Sequence, residues 1–133
     1  MGKKLLFCLI IDDEYLAQQV LETYMQRISE LRLVAKCGSV EDAFDMIASK
    51  QIDVIFLDLD LNRGSGTDII KRIKQSSKNL YYVIITSAAS PKQLQKELFN
   101  SERILLIDYL TKPFSFERFS ESIHKIITLF EKQ

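Results

Sequence analysis

Five short strand-like segments punctuate the chain: Leu5 to Ile11, Leu31 to Lys36, Val54 to Leu57, Tyr81 to Thr86 and Ile104 to Leu110. Several are nearly continuous apolar runs rather than alternating ones, the pattern of a parallel strand covered on both faces. Between them the apolar positions change to helical spacing. Ala17, Val20, Leu21, Tyr24 and Ile28 form one inward stripe, Val40, Phe44 and Ile47 a second, and Ile69, Ile70 and Ile73 a short third. A fourth helix is signalled by Ser90 as N-cap, Pro91 at the first helical position and Gln93 completing a capping box, after which Leu94 and Leu98 face inward. The last helix begins near Ser115 and carries Phe116, Phe119, Ile123, Ile126, Ile127 and Phe130 down one side.

Strands alternating with helices in this way predict an α/β fold: a doubly wound five-stranded parallel sheet, order 2-1-3-4-5, with five helices and right-handed crossovers, as in flavodoxin-like proteins. A chain of 133 residues suits one domain with a core of its own, so 1–133 reads as a single unit. Its charged tail, Glu131-Lys132-Gln133, leaves room for continuation into a longer protein.

Composition removes several function classes. Lys plus Arg and Asp plus Glu both total 18, so there is no global basic footprint and direct nucleic-acid binding by this chain is not expected. With 47% hydrophobic and 27% charged residues, neither disorder nor a membrane span is indicated. Met1-Gly2-Lys3-Lys4 and the apolar run after it superficially look like a secretory signal, but Asp12-Asp13-Glu14 interrupts too early and no small-residue cleavage site comes after it. The segment therefore reads as the first strand of a cytoplasmic protein. Cys8 and Cys37 lack the spacing of metal sites or redox pairs and read as reduced core thiols.

The candidate chemistry sits at the carboxyl ends of the strands. The first runs into Asp12-Asp13, the third into Asp58, the fourth into Thr86 and the fifth into Thr111-Lys112-Pro113. In a parallel doubly wound sheet those ends share one edge, where ligands bind at the switch point. A single acid at a strand end is more often a helix cap or a solvated group; several converging acids are a site. Adjacent carboxylates repel and raise one another's pKa unless a cation sits among them, and an oxygen-only set fits Mg²⁺ shared with a phosphate. Asp58 ends the most apolar stretch, and a carboxylate held there beside a metal can attack phosphorus. Lys112 would counter charge on the phosphoryl oxygens and Thr86 would donate a hydrogen bond to one of them, both from the solvent-accessible strand edge.

Four motifs in order, Ile10-Ile11-Asp12-Asp13-Glu14, Phe56-Leu57-Asp58-Leu59-Asp60-Leu61, Ile84-Ile85-Thr86-Ser87-Ala88 and Asp108-Tyr109-Leu110-Thr111-Lys112-Pro113-Phe114, span nearly the whole chain. On them the sequence resembles the receiver domain of two-component response regulators, most closely those of LytTR-type transcriptional regulators. The resemblance implies Asp58 as phospho-acceptor, Asp12 and Asp13 as the metal-binding acidic pair, and the backbone carbonyl of Asp60 completing a Mg²⁺ site. It further implies Lys112 as the phosphate-contacting lysine, and Thr86 and Tyr109 as the pair that couples phosphorylation to a change of the face built from the fourth helix, fifth strand and last helix. A histidine kinase as donor, an attached or separate output domain and homodimerisation on phosphorylation belong to the same implication, and no catalysis beyond transfer to and from Asp58 is expected. Two departures stand out: about one extra helical turn between Thr86 and Lys112, centred on Asn100-Ser101-Glu102-Arg103, and a loop Asn62-Arg63-Gly64-Ser65-Gly66 without the usual proline.

Competing readings exist. Asp58-Leu59-Asp60 also resembles the first motif of haloacid dehalogenase-type phosphatases, in which the first Asp attacks phosphorus and the second is the general acid; that family opens with the motif on its first strand, whereas here other β-α units precede it. A receiver-like interaction module that is never phosphorylated is the third. His124, the sole histidine, sits beside an apolar stripe with no partner motif and reads as a helix-edge residue, and Tyr81-Tyr82 read as strand core.

Overall fold

All five strand-like segments form strands in the computed structural model, which describes residues 4–61, 64–76, 79–88 and 101–132. They are β1 (Leu6–Ile11), β2 (Leu31–Cys37), β3 (Val54–Asp58), β4 (Tyr81–Ser87) and β5 (Ile104–Thr111), and they make one parallel sheet in the order β2-β1-β3-β4-β5. Every residue of β3 and β4 is buried, which is why neither segment alternates in sequence. The edge strand β2 exposes Arg32 and Lys36, charged positions that blunt an open edge.

Helices α1 (Tyr15–Gln26), α2 (Val40–Ser49), α3 (Gly66–Ser76) and α4 (Phe116–Glu131) are the four among the described residues. The helix expected from Ser90, with Pro91, Gln93, Leu94 and Leu98, falls in 89–100, outside the described residues, as do Asn62 and Arg63. Of the longer segment, Ser101 to Arg103 make a tight turn into β5, with the Ser101 N–H donating to the Ile104 carbonyl at 2.9 Å and the Tyr81 N–H to the Arg103 carbonyl at 2.8 Å.

The last helix starts beside Ser115 as expected, and the structure adds that Ser115 caps it, its hydroxyl accepting the Arg118 N–H at 3.1 Å. Ser39 does the same for α2, accepting from Asp42, and the acids Glu41 and Asp42 in that first turn suit the positive end of the helix dipole. The sheet separates two cores. On one face α2 and α3 cover Leu9, Ile55, Leu57, Val83 and Ile85; on the other α1 and α4 cover Cys8, Ile10, Val54, Phe56 and Ile84. Phe119 of α4 is fully buried and stacks on Phe56 at 5.6 Å, so truncating it would cost about 3–5 kcal/mol.

One stripe residue departs from expectation. Val20 is 42% exposed, because α1 centres its inward face on Leu21 and Met25, and a neighbour in sequence is turned about 100° around the helix.

Candidate functional site

Asp12, Asp58 and Thr86 share a row at the carboxyl edge of the sheet. Asp58 stands opposite Thr86 in the β3–β4 ladder, and Asp12 directly follows β1, with its N–H donating to the Cys37 carbonyl at 2.9 Å. Asp12 and Thr86 are fully buried and Asp58 is 4% exposed. Burial corrects the placement of Thr86 at an accessible edge. β4 continues as strand through Ser87, flanked by β3 and β5, so Thr86 lies inside the ladder rather than at its end.

Lys112 joins the row from the segment after β5. Its ammonium lies 2.6 Å from Asp12 Oδ2, 3.2 Å from Asp58 Oδ2 and 3.4 Å from Glu14 Oε1. The Lys112 N–H donates to the Ser87 carbonyl at 2.7 Å, which ties this segment to β4, and the peptide joining Lys112 to Pro113 is cis. Burial opposes the ammonium charge, but the hydrogen bond to Asp12 and the charges of Asp12 and Asp58 outweigh it, so the Lys112 pKa is raised and the group stays charged. Asp58 has the opposite balance. Burial dominates and raises its pKa, against the Asp60 N–H bond to Oδ1 at 2.9 Å and the pull of Lys112, with Asp12 adding repulsion.

Among the described residues the carboxylates of Asp12, Glu14 and Asp58 gather within 4.8 Å of one another. Sequence reasoning does not single out Glu14, although it directly follows the acidic pair. Its N–H donates to Asp12 Oδ1 at 2.9 Å, so the turn into α1 is organised by Asp12 and brings Glu14 back over Lys112. Gln18, with no sequence signal, donates from Nε2 to the Asp12 carbonyl at 2.6 Å. Asp13 is half-buried and outside that group, close enough to Gly38 that a Cβ there would lie 3.5 Å from the Asp13 Cα; Asp60 is exposed and contributes its N–H to Asp58. The donor set is all oxygen, carries more negative charge than one lysine offsets, and opens at a strand edge, a chemistry that fits a hard divalent cation such as Mg²⁺.

Among the described residues Thr86 Oγ1 has no hydrogen-bond partner although it is buried. An unsatisfied buried hydroxyl costs about 1–3 kcal/mol, and here it stands opposite Asp58 in the ladder, where an incoming oxygen could accept its hydrogen bond. Gly66 permits the close packing behind Asp58: a Cβ there would fall 2.7 Å from the Asp58 carbonyl oxygen and 3.0 Å from the Leu59 Cα. Tyr109 pairs with Ile85, one residue before Thr86, and packs half-buried against the core under α2 and α3. Beside Lys112 an apolar groove of about 430 Å³ runs along α1, next to the exposed Leu16 and Val20.

Cys8 is buried, its thiol pushed up to about 12 mainly by burial, and Cys37 likewise to about 11. His124 is exposed on α4. No helix among the described residues is long and apolar enough to cross a membrane.

Comparison with known proteins gives the family and the fold. The family model described as the response regulator receiver domain matches residues 8–124. Sensory transduction protein LytT of Bacillus subtilis is 34% identical over 117 residues, covering 88% of this chain and 46% of that protein; LytR of Staphylococcus haemolyticus is 29% identical over 118 residues, covering 89% and 44%. The chain thus spans about half the length of the curated relatives it matches. The crystal structure of the response regulatory domain of MrkE from Klebsiella pneumoniae superposes with a TM-score of 0.82 at 24% identity, over 96% of this chain and 100% of that one, and so shares its fold. With an acid row, a lysine after β5 and a matching family model over most of its length, the chain belongs to the receiver domain family of two-component response regulators.

Proposed function

We propose that this domain is a phosphorylatable switch in which Asp58 accepts a phosphoryl group from a partner histidine kinase with Mg²⁺. The observation that carries the reading is the Lys112 ammonium, shared between Asp12 and Asp58 while Thr86 Oγ1, opposite Asp58, has no partner among the described residues. In the transfer, an Asp58 carboxylate oxygen bonds to phosphorus as the donor's P–N bond breaks and its electron pair returns to the imidazole. Lys112 offsets the added charge, and Thr86 donates to a phosphoryl oxygen. Asp12, Asp13, Asp58 and the Asp60 carbonyl, with Glu14 close by, would hold Mg²⁺, which when bound neutralises charge on the carboxylates and the incoming phosphate.

Movement of Thr86 toward the phosphoryl group is passed across the β4–β5 ladder to Tyr109, which pairs with the adjoining Ile85, and the two residues bias the output face around β5. Residues 1–133 form one receiver unit of a longer cytoplasmic regulator, in keeping with the relatives' greater length, and homodimerisation on phosphorylation is part of the reading. The groove beside Lys112 and the exposed Tyr15, Leu16 and Val20 offer the kinase an apolar surface next to the acceptor.

Acetyl phosphate with Mg²⁺ tests this directly. Intact mass should rise by one phosphoryl group, chelator should stop the labelling, and Asp58→Asn should remain unlabelled. An Asp58→Asn protein that labels to the wild-type extent overturns the assignment.

A further inference from the structure

The β4–β5 ladder contains a bulge. Val83 faces Leu106, but Ile84 faces Asp108, so Ile107 is an extra residue on β5. Because side chains alternate across a strand, one inserted residue exchanges the faces of everything after it. Before the bulge, Ile104 and Leu106 pack on the α2–α3 side and Leu105 on the α1–α4 side. After it, Tyr109 lies on the α2–α3 side and Leu110 on the α1–α4 side, the side from which Asp12, Asp58 and Thr86 arise. Lys112 follows Leu110 by an even step and so reaches that same row. In an unbroken ladder Asp108 would pair with Ile85 and Leu110 with Ser87, which would turn Tyr109 and Lys112 to each other's present faces.

Asp108 is the residue that enters the ladder directly after the extra one, and its carboxylate accepts hydrogen bonds from four residues. Arg118 donates from both terminal nitrogens, at 2.8 Å to Oδ2 and 2.7 Å to Oδ1, Ser122 Oγ donates to Oδ2 at 2.6 Å, and Lys125 Nζ lies 3.1 Å from Oδ2. The same carboxylate takes the Tyr109 N–H at 2.8 Å. A two-nitrogen guanidinium contact fixes orientation as well as position. All of the side-chain donors come from α4, so that helix grips the strand at the bulge. Burial of Asp108 opposes its charge, yet these donors hold its carboxyl well below the usual carboxylate range. Nothing in the phosphoryl chemistry uses the group directly.

We propose that Asp108 is a positioning residue: gripped by Arg118, Ser122 and Lys125 of α4, it pins the β5 bulge that puts Lys112 on the acid row and Tyr109 on the opposite face. The proposal rests on the receiver reading for its consequence, since strand register then decides how well Lys112 meets the phosphoryl group. It also makes α4 an element that senses or sets the register, since loosening the grip lets β5 slip toward the unbulged pairing.

Two measurements on the protein of residues 1–133 separate register from chemistry. In the protein without any phosphoryl mimic, the Lys112 ammonium should give a slowly exchanging ¹⁵N signal in NMR spectra, which Asp108→Ala and the milder Arg118→Met should weaken or abolish while the fold persists by amide spectra. In the second, beryllofluoride with Mg²⁺ is titrated into wild type, Asp108→Ala, Lys112→Ala and the double variant. Asp108→Ala should weaken binding about ten- to a hundredfold, the scale of a lost charge-assisted contact. In the Lys112→Ala background the Asp108 effect should largely vanish, because both changes remove the same contact. Full additivity in that cycle, or an unchanged Lys112 signal in both single clamp variants, overturns the positioning role. A wild-type protein that takes no beryllofluoride, while Asp108→Ala still releases Lys112, overturns the receiver reading and supports the positioning role.

Discussion

Replacing Asp58 by its neutral isostere should make the protein more stable. The carboxylate is 4% exposed, and burial is the largest influence on it. Lys112 attracts it across 3.2 Å, while Asp12 repels it with ligand oxygens up to 4.8 Å apart. Of these two charge effects the attraction by Lys112 is the larger. The pKa is nevertheless raised, which means that burial outweighs the attraction. Asp58→Asn removes the buried charge and keeps an oxygen for the Asp60 N–H, and Lys112 retains its 2.6 Å contact with Asp12. The expected gain is about 1 kcal/mol, the size usual when a functional site is relaxed. For a domain of this length that is about 3–5 °C in Tm. Thermal melts in chelator across a pH series read it. A carboxyl with a raised folded pKa contributes stability fully present below its unfolded pKa and lost as pH rises through the folded value. The advantage of Asp58→Asn should therefore be widest at neutral pH and close as the solution becomes acidic enough to protonate ordinary carboxyls. Added Mg²⁺ should raise the wild-type Tm more than that of the variant. If Asp58→Asn melts at or below wild type at neutral pH in chelator, the attraction of Lys112 outweighs burial and the reasoning fails.

Thr86→Val should fold at least as stably as wild type, gaining up to about 1 kcal/mol by removing an unsatisfied buried hydroxyl, while binding beryllofluoride more weakly; a loss above about 2 kcal/mol in urea melts would show that the hydroxyl has a structural partner. Gly66→Ala should cost about 1–3 kcal/mol in urea unfolding and slow labelling of Asp58, because its Cβ would meet the Asp58 carbonyl oxygen at 2.7 Å, and unchanged stability would contradict that contact. Asp108 has a depressed pKa, so its stabilisation is present above the unfolded carboxyl pKa and lost as pH falls through the folded value. Asp108→Asn should accordingly be less stable than wild type at neutral pH and approach it in strong acid, and a pH-independent gap in urea midpoints would refute the electrostatic origin.

Much of the fold is legible because a parallel sheet covered on both faces needs long apolar runs, and β3 and β4 are buried at every position. The start of the last helix near Ser115 is legible for a local reason too, since the apolar spacing that follows and the Ser115 bond to Arg118 lie within a few residues of it. Glu14 is not legible because its contact with Lys112 joins residues far apart in the chain, nor Gln18, because its target is a backbone carbonyl that no side-chain pattern announces. Val20 misleads since an apolar residue one step off a stripe satisfies the same spacing while facing outward.

By itself the sequence determined the kinds of element, their order, and the chemistry waiting at the strand ends: Asp12, Asp58, Thr86 and Lys112 could be named because strand direction alone sends those positions to one edge. Which of them meet was decided by tertiary structure. Facing along a strand has a period of two residues, so the single bulge at Ile107 assigns Lys112 to the acid row and Tyr109 to the other side, and no local signal in the sequence marks that residue as extra. Burial of Thr86 likewise exists only once β5 lies beside β4, and the grip on Asp108 only once α4 folds back across the sheet. Patterns of a few residues record local geometry, whereas register and contact between distant segments arise when the whole sheet closes.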